Sequence, residues 1–336
     1  MSKRTLKVYS ENWDEEPFAI SRSSSDNFNV VIVELEQNGF MGWGESTPTE
    51  RYNESIDQTI SLIENCRKNI EEGISRIELQ SLMPKGAARN AVDCALWDLE
   101  SKKTGQRIWH LNELSKHLEK GHLSEPEIVT TVYSLGLESP TKMGEMAKQN
   151  SKRPILKIKL TGDGDLDRIN SIKENAPDSR LVVDANEGWE ISHYNNFVHE
   201  FFKLGVEMIE QPFPVGNDNI LKELNHPIPI CADESCHDRN DLTNLRGLYE
   251  YVNIKLDKTG GLTEAINLQN EAESKGFKTM VGCMSCTSLG IAPAFFIAQR
   301  ATFVDLDAPL YLYNDRKYPM KYNLSYVYPP PTKLWG

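Results

Sequence analysis

The most regular feature of the chain is an alternation of short apolar runs with helix-compatible segments, which begins near residue 128 and repeats about every 25 residues. Eight such runs predict an α/β fold, a (β/α)8 TIM-type barrel, in residues 126–309. An open doubly wound sheet is the alternative, but it would need a glycine-rich phosphate loop after its first strand, where the chain reads VYSLGLESP. The predicted strands are residues 129–133, 155–160, 181–184, 206–210, 228–231, 251–256, 279–282 and 301–305.

Residues 1–125 show a mixed pattern, which predicts a separate α+β domain in front of the barrel. A β-rich run at residues 28–35 and a second at 40–45 flank the turn sequence Gln37-Asn38-Gly39. This arrangement is typical of a β-hairpin.

Helical spacing of apolar residues follows at residues 56–66 and 87–103, and Gly105 lies where a helix C-cap is expected. Residues 117–127 are polar and are predicted to be a linker to the barrel. The tail, residues 310–336, is rich in Tyr and Pro and shows no further βα period. We expect it to return to the first domain and complete it.

Composition narrows the class of protein. The chain has 336 residues, of which 39% are hydrophobic and 26% charged, and its net charge of -12 argues against a nucleic-acid surface. No apolar run approaches the roughly 20 residues that cross a membrane, and the start lacks the apolar core of a signal peptide. A cytoplasmic protein that acts on a small molecule is expected, with a homo-oligomer possible for a barrel of this size.

Acidic residues close three successive predicted strands. They are Asp184 after LVV, Glu210 after VEMI and Asp233 after PIPICA. Adjacent parallel strands would bring the three carboxylates to one rim of the barrel, where functional groups of such barrels lie. Three anions at short range need a cation between them, and an all-oxygen set suits Mg²⁺ better than zinc. The alternative is that each acid is an ordinary helix N-cap.

Lysines flank this acidic set. Lys157 and Lys159 alternate along the second strand and point to one face, and Lys258 follows the sixth strand, which lies opposite the second in a closed barrel. Two bases on opposite sides of one carbon are what a 1,1-proton transfer needs. Positive charge from Lys157 and the metal would lower the pKa of Lys159 enough for it to act as a base. A structural ion pair with an acid is the alternative for each lysine.

These residues lie in motifs that resemble the enolase superfamily, within its muconate-lactonizing subgroup and most closely the dipeptide epimerases. The motifs are LKIKL, VVDANEGW, MIEQPFP, CADES, NIKLDKTGGL, VDLDAPLYL and, in the first domain, GAARNAVDCALWDLESKKTG. The resemblance implies a capping domain on a barrel, with Lys159 and Lys258 as the acid/base pair. It implies Mg²⁺ on Asp184, Glu210 and Asp233, with Lys157 supporting the enolate and the substrate carboxylate.

The resemblance also implies a set of substrate contacts. Asp305 and Asp307, spaced i, i+2 after the eighth strand, would hold the ammonium group of a dipeptide, although a capped turn before a proline is the alternative. Arg22 resembles an arginine that meets an acidic side chain in enzymes acting on Ala-Glu. Ser134 and Cys283 are expected to contact substrate at the first and seventh strand ends. Both depart from the pattern of the best-known Ala-Glu enzymes: a threonine is expected at Ser134, and GCMSCTSLG surrounds Cys283.

The sequence therefore predicts a Mg²⁺-dependent epimerase of a small dipeptide, Ala-Glu or similar. An N-acylamino-acid racemase, for example one acting on N-acetylglutamate, uses the same two bases without a free amine. A cycloisomerase or lyase needs only one of the lysines, and a metal-stabilised binding protein would catalyse nothing. The Cys283-x-x-Cys286 pair is predicted to be two reduced thiols, because nothing nearby completes a zinc site.

Overall fold

The computed structural model describes residues 3–20 and 24–336, and it opens on a three-stranded antiparallel sheet. The strands are β1 (Thr5–Ala19), β2 (Ser24–Gln37) and β3 (Phe40–Ser46). The predicted hairpin is confirmed: Gln37 pairs with Phe40, and Asn38 and Gly39 between them have φ angles of 57° and 82°. Strand β1 was not predicted, because its apolar residues form no continuous run.

Five helices complete the N-terminal part. They are α1 (Ile56–Asn65), α2 (Arg67–Glu72), α3 (Arg76–Leu82), α4 (Ala87–Thr104) and α5 (Asn112–Lys120). The helix α4 lies on β3 at close range, since a Cβ added to Gly44 would fall 2.0 Å from the Ala91 carbonyl oxygen. Gly105 ends α4 with a φ of 69°, as predicted. The predicted linker begins too early, because His117 is a buried residue of α5.

Eight parallel strands, each paired with the next in chain order, form the second sheet. They are β5 (Tyr133–Leu135), β6 (Ile155–Lys159), β7 (Arg180–Asp184), β8 (Val206–Glu210), β9 (Ile230–Ala232), β10 (Tyr251–Ile254), β11 (Lys278–Val281) and β12 (Phe303–Val304). The Val132 amide donates to the Val304 carbonyl oxygen at 2.8 Å and so joins the last strand to the start of the first. The predicted barrel is confirmed, except that residues 129 and 130 form a separate strand.

Helices connect the barrel strands and cover their outer face. They are α6 (Pro140–Gln149), α7 (Asp165–Asn175), α8 (Ile191–Lys203), α9 (Leu242–Leu245), α10 (Leu256–Thr259), α11 (Leu262–Ser274) and α12 (Ser288–Ala298). Short 3-10 helices add Glu50–Tyr52, Ile108–His110, Asp218–Glu223 and Ala308–Tyr311. No helix of the described residues is both long and apolar enough to cross a membrane.

The barrel interior is layered. One buried apolar side chain from each strand forms a ring near the N-terminal ends: Val132, Ile155, Val182, Met208, Cys231, Tyr251, Met280 and Phe303. Because side chains alternate along a strand, the residues two positions further on point into the same interior. These next residues are Ser134, Lys157, Asp184, Glu210, Asp233, Asn253, Gly282 and Asp305. The ring is thus followed, toward the C-terminal ends, by a layer that is almost entirely polar.

The tail returns to the N-terminal domain, as predicted. Its strands β13 (Tyr322–Asn323) and β14 (Tyr326–Val327) pair with each other, and β14 pairs with β4 (Val129–Thr130) below the barrel. The indole of Trp335 then donates to the carbonyl oxygens of Trp43 and Cys94. These bonds fix the C-terminal residues against α4 and the first sheet.

Candidate active site

A cavity of about 240 Å³ opens at the C-terminal ends of the barrel strands. The barrel contributes Lys159, Asp233, Lys255, Asp305 and Asp307 to its wall. The N-terminal domain covers it with Glu15, Phe18, Ile20, Ser25, Thr49, Arg51 and Tyr52. A ligand in this cavity would therefore touch both domains, and ionisable groups would surround it on the barrel side.

The three predicted metal ligands lie side by side on neighbouring strands. Asp184 and Glu210 are direct register partners on β7 and β8, and Asp233 lies two residues beyond Cys231, the register partner of Glu210 on β9. All three residues are at most 1% exposed. Burial, together with the charges of Asp184 and Asp233, raises the pKa of Glu210 to about 7. A cation is the natural partner for such a set.

The two lysines of β6 lie at different depths. The Lys157 ammonium is buried and lies 3.1 Å from Asp184 Oδ2, 2.7 Å from Glu210 Oε2 and 2.6 Å from Asp305 Oδ2. Burial opposes its charge, but the three carboxylates outweigh that effect and raise the pKa of Lys157. Lys159, two residues on, lines the cavity, and its Nζ lies 2.7 Å from Asp184 Oδ2.

Opposite Lys159, the cavity wall contains Lys255 and not Lys258. Lys255 continues the inward alternation of β10 after Tyr251 and Asn253, and its Nζ lies 2.8 Å from Asp233 Oδ2. Lys258 lies on the short helix α10 and is 2% exposed. Its Nζ donates to Asp233 Oδ1 and to the carbonyl oxygens of Asp233 and Asn253, at 2.6, 2.6 and 2.9 Å.

The sequence predicts Lys258 as the second acid/base, whereas the structure places Lys255 in the cavity wall at this point. All three donor positions of the Lys258 ammonium group are taken by the barrel itself, so Lys258 is a buried cation that fixes Asp233. The signal for Lys255 was present in the sequence: in YVNIKLDK, the first lysine keeps the i, i+2 spacing of the inward-facing residues.

The donor set fits a hard divalent cation. Asp184, Glu210 and Asp233 offer only carboxylate oxygens, and Glu210 Oε2 is buried and accepts no well-aligned hydrogen bond, although the Lys157 ammonium lies beside it. Within residues 3–20 and 24–336, no three acidic, His or Cys side chains surround one common point. Lysine ammonium groups take the carboxylate oxygens instead, and they supply the compensating charge.

The two acids after β12 also face the cavity. Asp305 is paired with Lys157, while Asp307 Oδ2 accepts from the Ser134 amide at 2.7 Å and from the Tyr311 hydroxyl at 3.0 Å. Tyr311 was not singled out from the sequence; its single hydroxyl proton can be donated either to Asp307 or to the Ser134 carbonyl oxygen, which lies 2.7 Å away. Tyr311 belongs to the motif VDLDAPLYL, but the motif does not indicate its contact with Ser134, which only the folded structure brings about.

The remaining predicted substrate contacts are Cys283 and Arg22. Cys283 lines the cavity, and its CxxC partner Cys286 is buried; both are free thiols. Arg22 lies outside the described residues. Arg51, from the 3-10 helix Glu50–Tyr52, lines the cavity and donates to both carboxylate oxygens of Glu187, at 2.7 and 2.6 Å. The sequence analysis missed this arginine because it lies outside the barrel motifs.

Comparison with known proteins gives two family matches. Residues 3–112 match the mandelate racemase/muconate lactonizing enzyme N-terminal domain, and residues 142–327 match the enolase C-terminal domain-like family. The L-Ala-D/L-Glu epimerase of Escherichia coli is 43% identical over 92% of this chain and 94% of its own length. The N-acetyl-D-glutamate racemase of a Pseudoalteromonas species is 39% identical over 91% of this chain and 95% of its own length.

Solved structures support the same family assignment. An enolase family member from Agrobacterium tumefaciens with homology to dipeptide epimerases, with bound sodium and L-Ala-L-Glu, superposes with a TM-score of 0.95 at 42% identity, covering 99% of this chain and 100% of that one. The dipeptide epimerase of Enterococcus faecalis, complexed with Mg and L-Leu-L-Tyr, gives 0.88 at 26% identity, covering 98% and 97%. The chain is a member of the mandelate racemase/muconate lactonizing enzyme family of the enolase superfamily.

Proposed function

We propose that this protein is a metal-dependent epimerase that inverts the α-carbon of a small dipeptide, Ala-Glu or similar, by two-base proton transfer. The observation that carries the proposal is the position of Lys159 and Lys255. They line one cavity from the second and the sixth strand of the barrel, with the three buried carboxylates on the strands between them. The Escherichia coli relative is an L-Ala-D/L-Glu epimerase, which supports a dipeptide as the substrate.

The lysines act at opposite faces of the substrate α-carbon. The neutral amine of one lysine removes the α-proton, and the ammonium group of the other lysine delivers a proton to the opposite face, so that the configuration is inverted. Each Nζ now lies within 2.8 Å of a carboxylate oxygen, Lys159 beside Asp184 and Lys255 beside Asp233. Burial lowers the pKa of Lys255, but Asp233 and Glu210 outweigh it and keep that pKa high.

Asp184, Glu210 and Asp233 would hold Mg²⁺. A cation held there would supply positive charge to stabilise the negative charge that develops on the substrate carboxylate. Lys157 stays buried beside this set and adds a fixed positive charge where the substrate carboxylate develops its second negative charge.

The rest of the substrate is held by the cavity wall. Asp305 and Asp307 would bind the N-terminal ammonium group of the dipeptide, with Ser134 and Tyr311 orienting Asp307. The side chain of the inverted residue would extend toward the N-terminal domain, where Arg51 lies in the wall, and Cys283 would contact the substrate from the end of β11. Arg22 is also expected to contact an acidic side chain of the substrate.

Proton NMR in D₂O with Mg²⁺ tests the proposal, using L-Ala-L-Glu and L-Ala-D-Glu as substrates. The expected result is deuterium at the glutamate α-carbon together with inversion. Lys159→Ala and Lys255→Ala should each stop inversion but leave exchange from opposite epimers, because each variant keeps the base on one face. Absence of exchange from both dipeptides, and from a panel of other Ala-Xaa and Xaa-Glu dipeptides, would overturn it.

A further inference from the structure

The two acids of the Asp305-x-Asp307 pair are compensated very differently. Asp305 lies 2.6 Å from the Lys157 ammonium. Among the described residues, no Lys, Arg or His side chain forms an ion pair with Asp307. Asp307 is 4% exposed, and its carboxylate contacts an amide, hydroxyl groups and Asp305. A buried carboxylate without a cation is costly when ionised.

The ionisable groups that face Asp307 are acidic, and none of them compensates the charge of its carboxylate. Asp305 faces it from the same strand end and shares a hydrogen bond with it, and the phenols of Tyr133, Tyr311 and Tyr322 surround it. Lys157, the cation that pairs with Asp305, already contacts three carboxylates. Burial and the neighbouring Asp305 raise the pKa of Asp307 to about 7. Lys159 and Lys255 are the other cations in the wall, and each is paired with a different acid.

We propose that this one cavity turns over two substrate classes, dipeptides and N-acylamino acids such as N-acetylglutamate, and that the proton on Asp307 selects between them. The inference rests on the proposed function, because it uses the same lysines and the same α-carbon. An ionised Asp307 is matched by the ammonium group of a dipeptide. An N-acyl substrate has no such group, so it is accommodated when Asp307 is neutral.

The chemistry of the two substrates supports a shared site. N-acetylglutamate carries the same α-proton, α-carboxylate, amide nitrogen and side chain as the second residue of Ala-Glu, and it lacks the ammonium group and the methyl group of the alanine residue. With it bound, an ionised Asp307 would stay buried without a cation, whereas a protonated Asp307 keeps its contacts with Ser134, Tyr311 and Asp305 at no charge cost. The two curated relatives, a dipeptide epimerase and an N-acetylglutamate racemase, are similar to the chain at 43% and 39% identity.

The test measures kcat/KM for L-Ala-L-Glu and for N-acetyl-L-glutamate with Mg²⁺ between pH 5.5 and 7.5. The ratio of the two values cancels every titration that both substrates share, including those of the lysines. In this range the dipeptide amine stays largely protonated. If Asp307 titrates near pH 7, lowering the pH from 7.5 to 5.5 should reduce the dipeptide value roughly 20-fold and raise the N-acyl value roughly fourfold.

The variant Asp307→Asn fixes a neutral group at this position. It should lose at least about 100-fold in kcat/KM for the dipeptide and keep N-acetylglutamate turnover within a few-fold, with no opposite pH trends. Asp163→Asn, at an exposed aspartate outside the cavity, is the matched control and should behave as the unmodified protein. Circular dichroism melts at both pH values confirm that each variant is folded.

The outcomes separate this inference from the proposed function. Dipeptide inversion at pH 7.5 tests the proposed function alone. If inversion occurs but N-acetylglutamate shows no α-proton exchange at pH 5.5, with either the unmodified protein or Asp307→Asn, the inference is overturned and the epimerase stands. A ratio that does not change with pH also overturns it. If neither substrate exchanges at any pH, both proposals fall together.

Discussion

The two ends of the barrel use the same eight strands for opposite purposes. Near the N-terminal ends, one apolar side chain per strand packs into a buried ring, in which Tyr251 and Phe303 lie with ring centroids 5.5 Å apart. Two residues further along each strand, the interior is almost entirely polar instead, and it holds Lys157 with the carboxylates of Asp184, Glu210, Asp233 and Asp305. The comparison shows that a single step of the strand alternation separates groups that stabilise the fold from groups placed for chemistry.

The largest loss of activity should come from a substitution at the polar, C-terminal end of the barrel strands. Lys255→Met removes a base from the cavity wall and leaves Asp233 paired with Lys258, so the fold should persist. We expect kcat/KM for epimerisation to fall by at least about 1,000-fold, because general base catalysis of this kind contributes about that much. Deuterium exchange and optical rotation measure the loss, and the melting temperature shows whether the fold is kept.

Lys258→Met is the matched variant, since it removes the other lysine that contacts Asp233. Its ammonium group holds two carbonyl oxygens and a carboxylate, all buried, so the unfolding free energy should fall. The folded fraction should still exchange protons at both faces of the α-carbon. If Lys258→Met abolished inversion while Lys255→Met kept it, the reassignment of the second base would be wrong.

The apolar ring should show the reverse response. Phe303→Ala opens a cavity among side chains from the neighbouring strands, and we expect it to lower the unfolding free energy by about 3–5 kcal/mol. Because the ring lies below the polar layer, kcat/KM per folded molecule should stay within a few-fold of the unmodified protein. Urea unfolding and epimerase assays on the same preparation measure both quantities. A large loss of kcat/KM in fully folded protein would show that the two layers are coupled.

The same comparison explains how much the sequence could predict. The barrel and the acids Asp184, Glu210 and Asp233 follow from apolar runs that end in a charged residue, a pattern that local sequence carries. Lys258 was predicted at the site because it follows the sixth strand, whereas the lysine that keeps the inward alternation of β10 is Lys255. Strand β1 was missed because its apolar residues form no continuous run, although it pairs with β2, the next strand of the chain.

Tertiary contacts account for what the sequence could not predict. Tyr311 reaches Ser134 across 177 positions of chain, and Arg51 reaches Glu187 across 136. Neither pair has a local pattern, since each depends on where the barrel rim meets the tail or the N-terminal domain. His117 lies in a polar segment that predicts an exposed linker. It is nevertheless buried, because α5 packs beside Arg300.

The smallest expected effect is a change in unfolding free energy with pH, caused by His117 near the N-terminal ends of the barrel strands. Arg300, in the connection that leads from α12 to β12 at that end, donates to His117 Nδ1 at 3.0 Å. Burial and the Arg300 charge lower the pKa of His117 to about 3, so the folded protein keeps the imidazole neutral while the unfolded chain protonates it below pH 6.5. Stability from this group is therefore present above that pH and is lost as the pH falls.

Lowering the pH from 7.5 to 5.5 should cost about 1 kcal/mol of unfolding free energy through His117 alone. The measurement is urea unfolding of the unmodified protein and of His117→Gln at both pH values, with the difference between the two proteins isolating this residue from all other titrations. The stability of the unmodified protein relative to His117→Gln should decrease at pH 5.5. The kcat/KM ratio between the two proteins should stay constant, because the imidazole lies outside the cavity and acts only on the fold. An unchanged stability difference would mean that His117 keeps an ordinary pKa, and that the buried end of the barrel tolerates its charge.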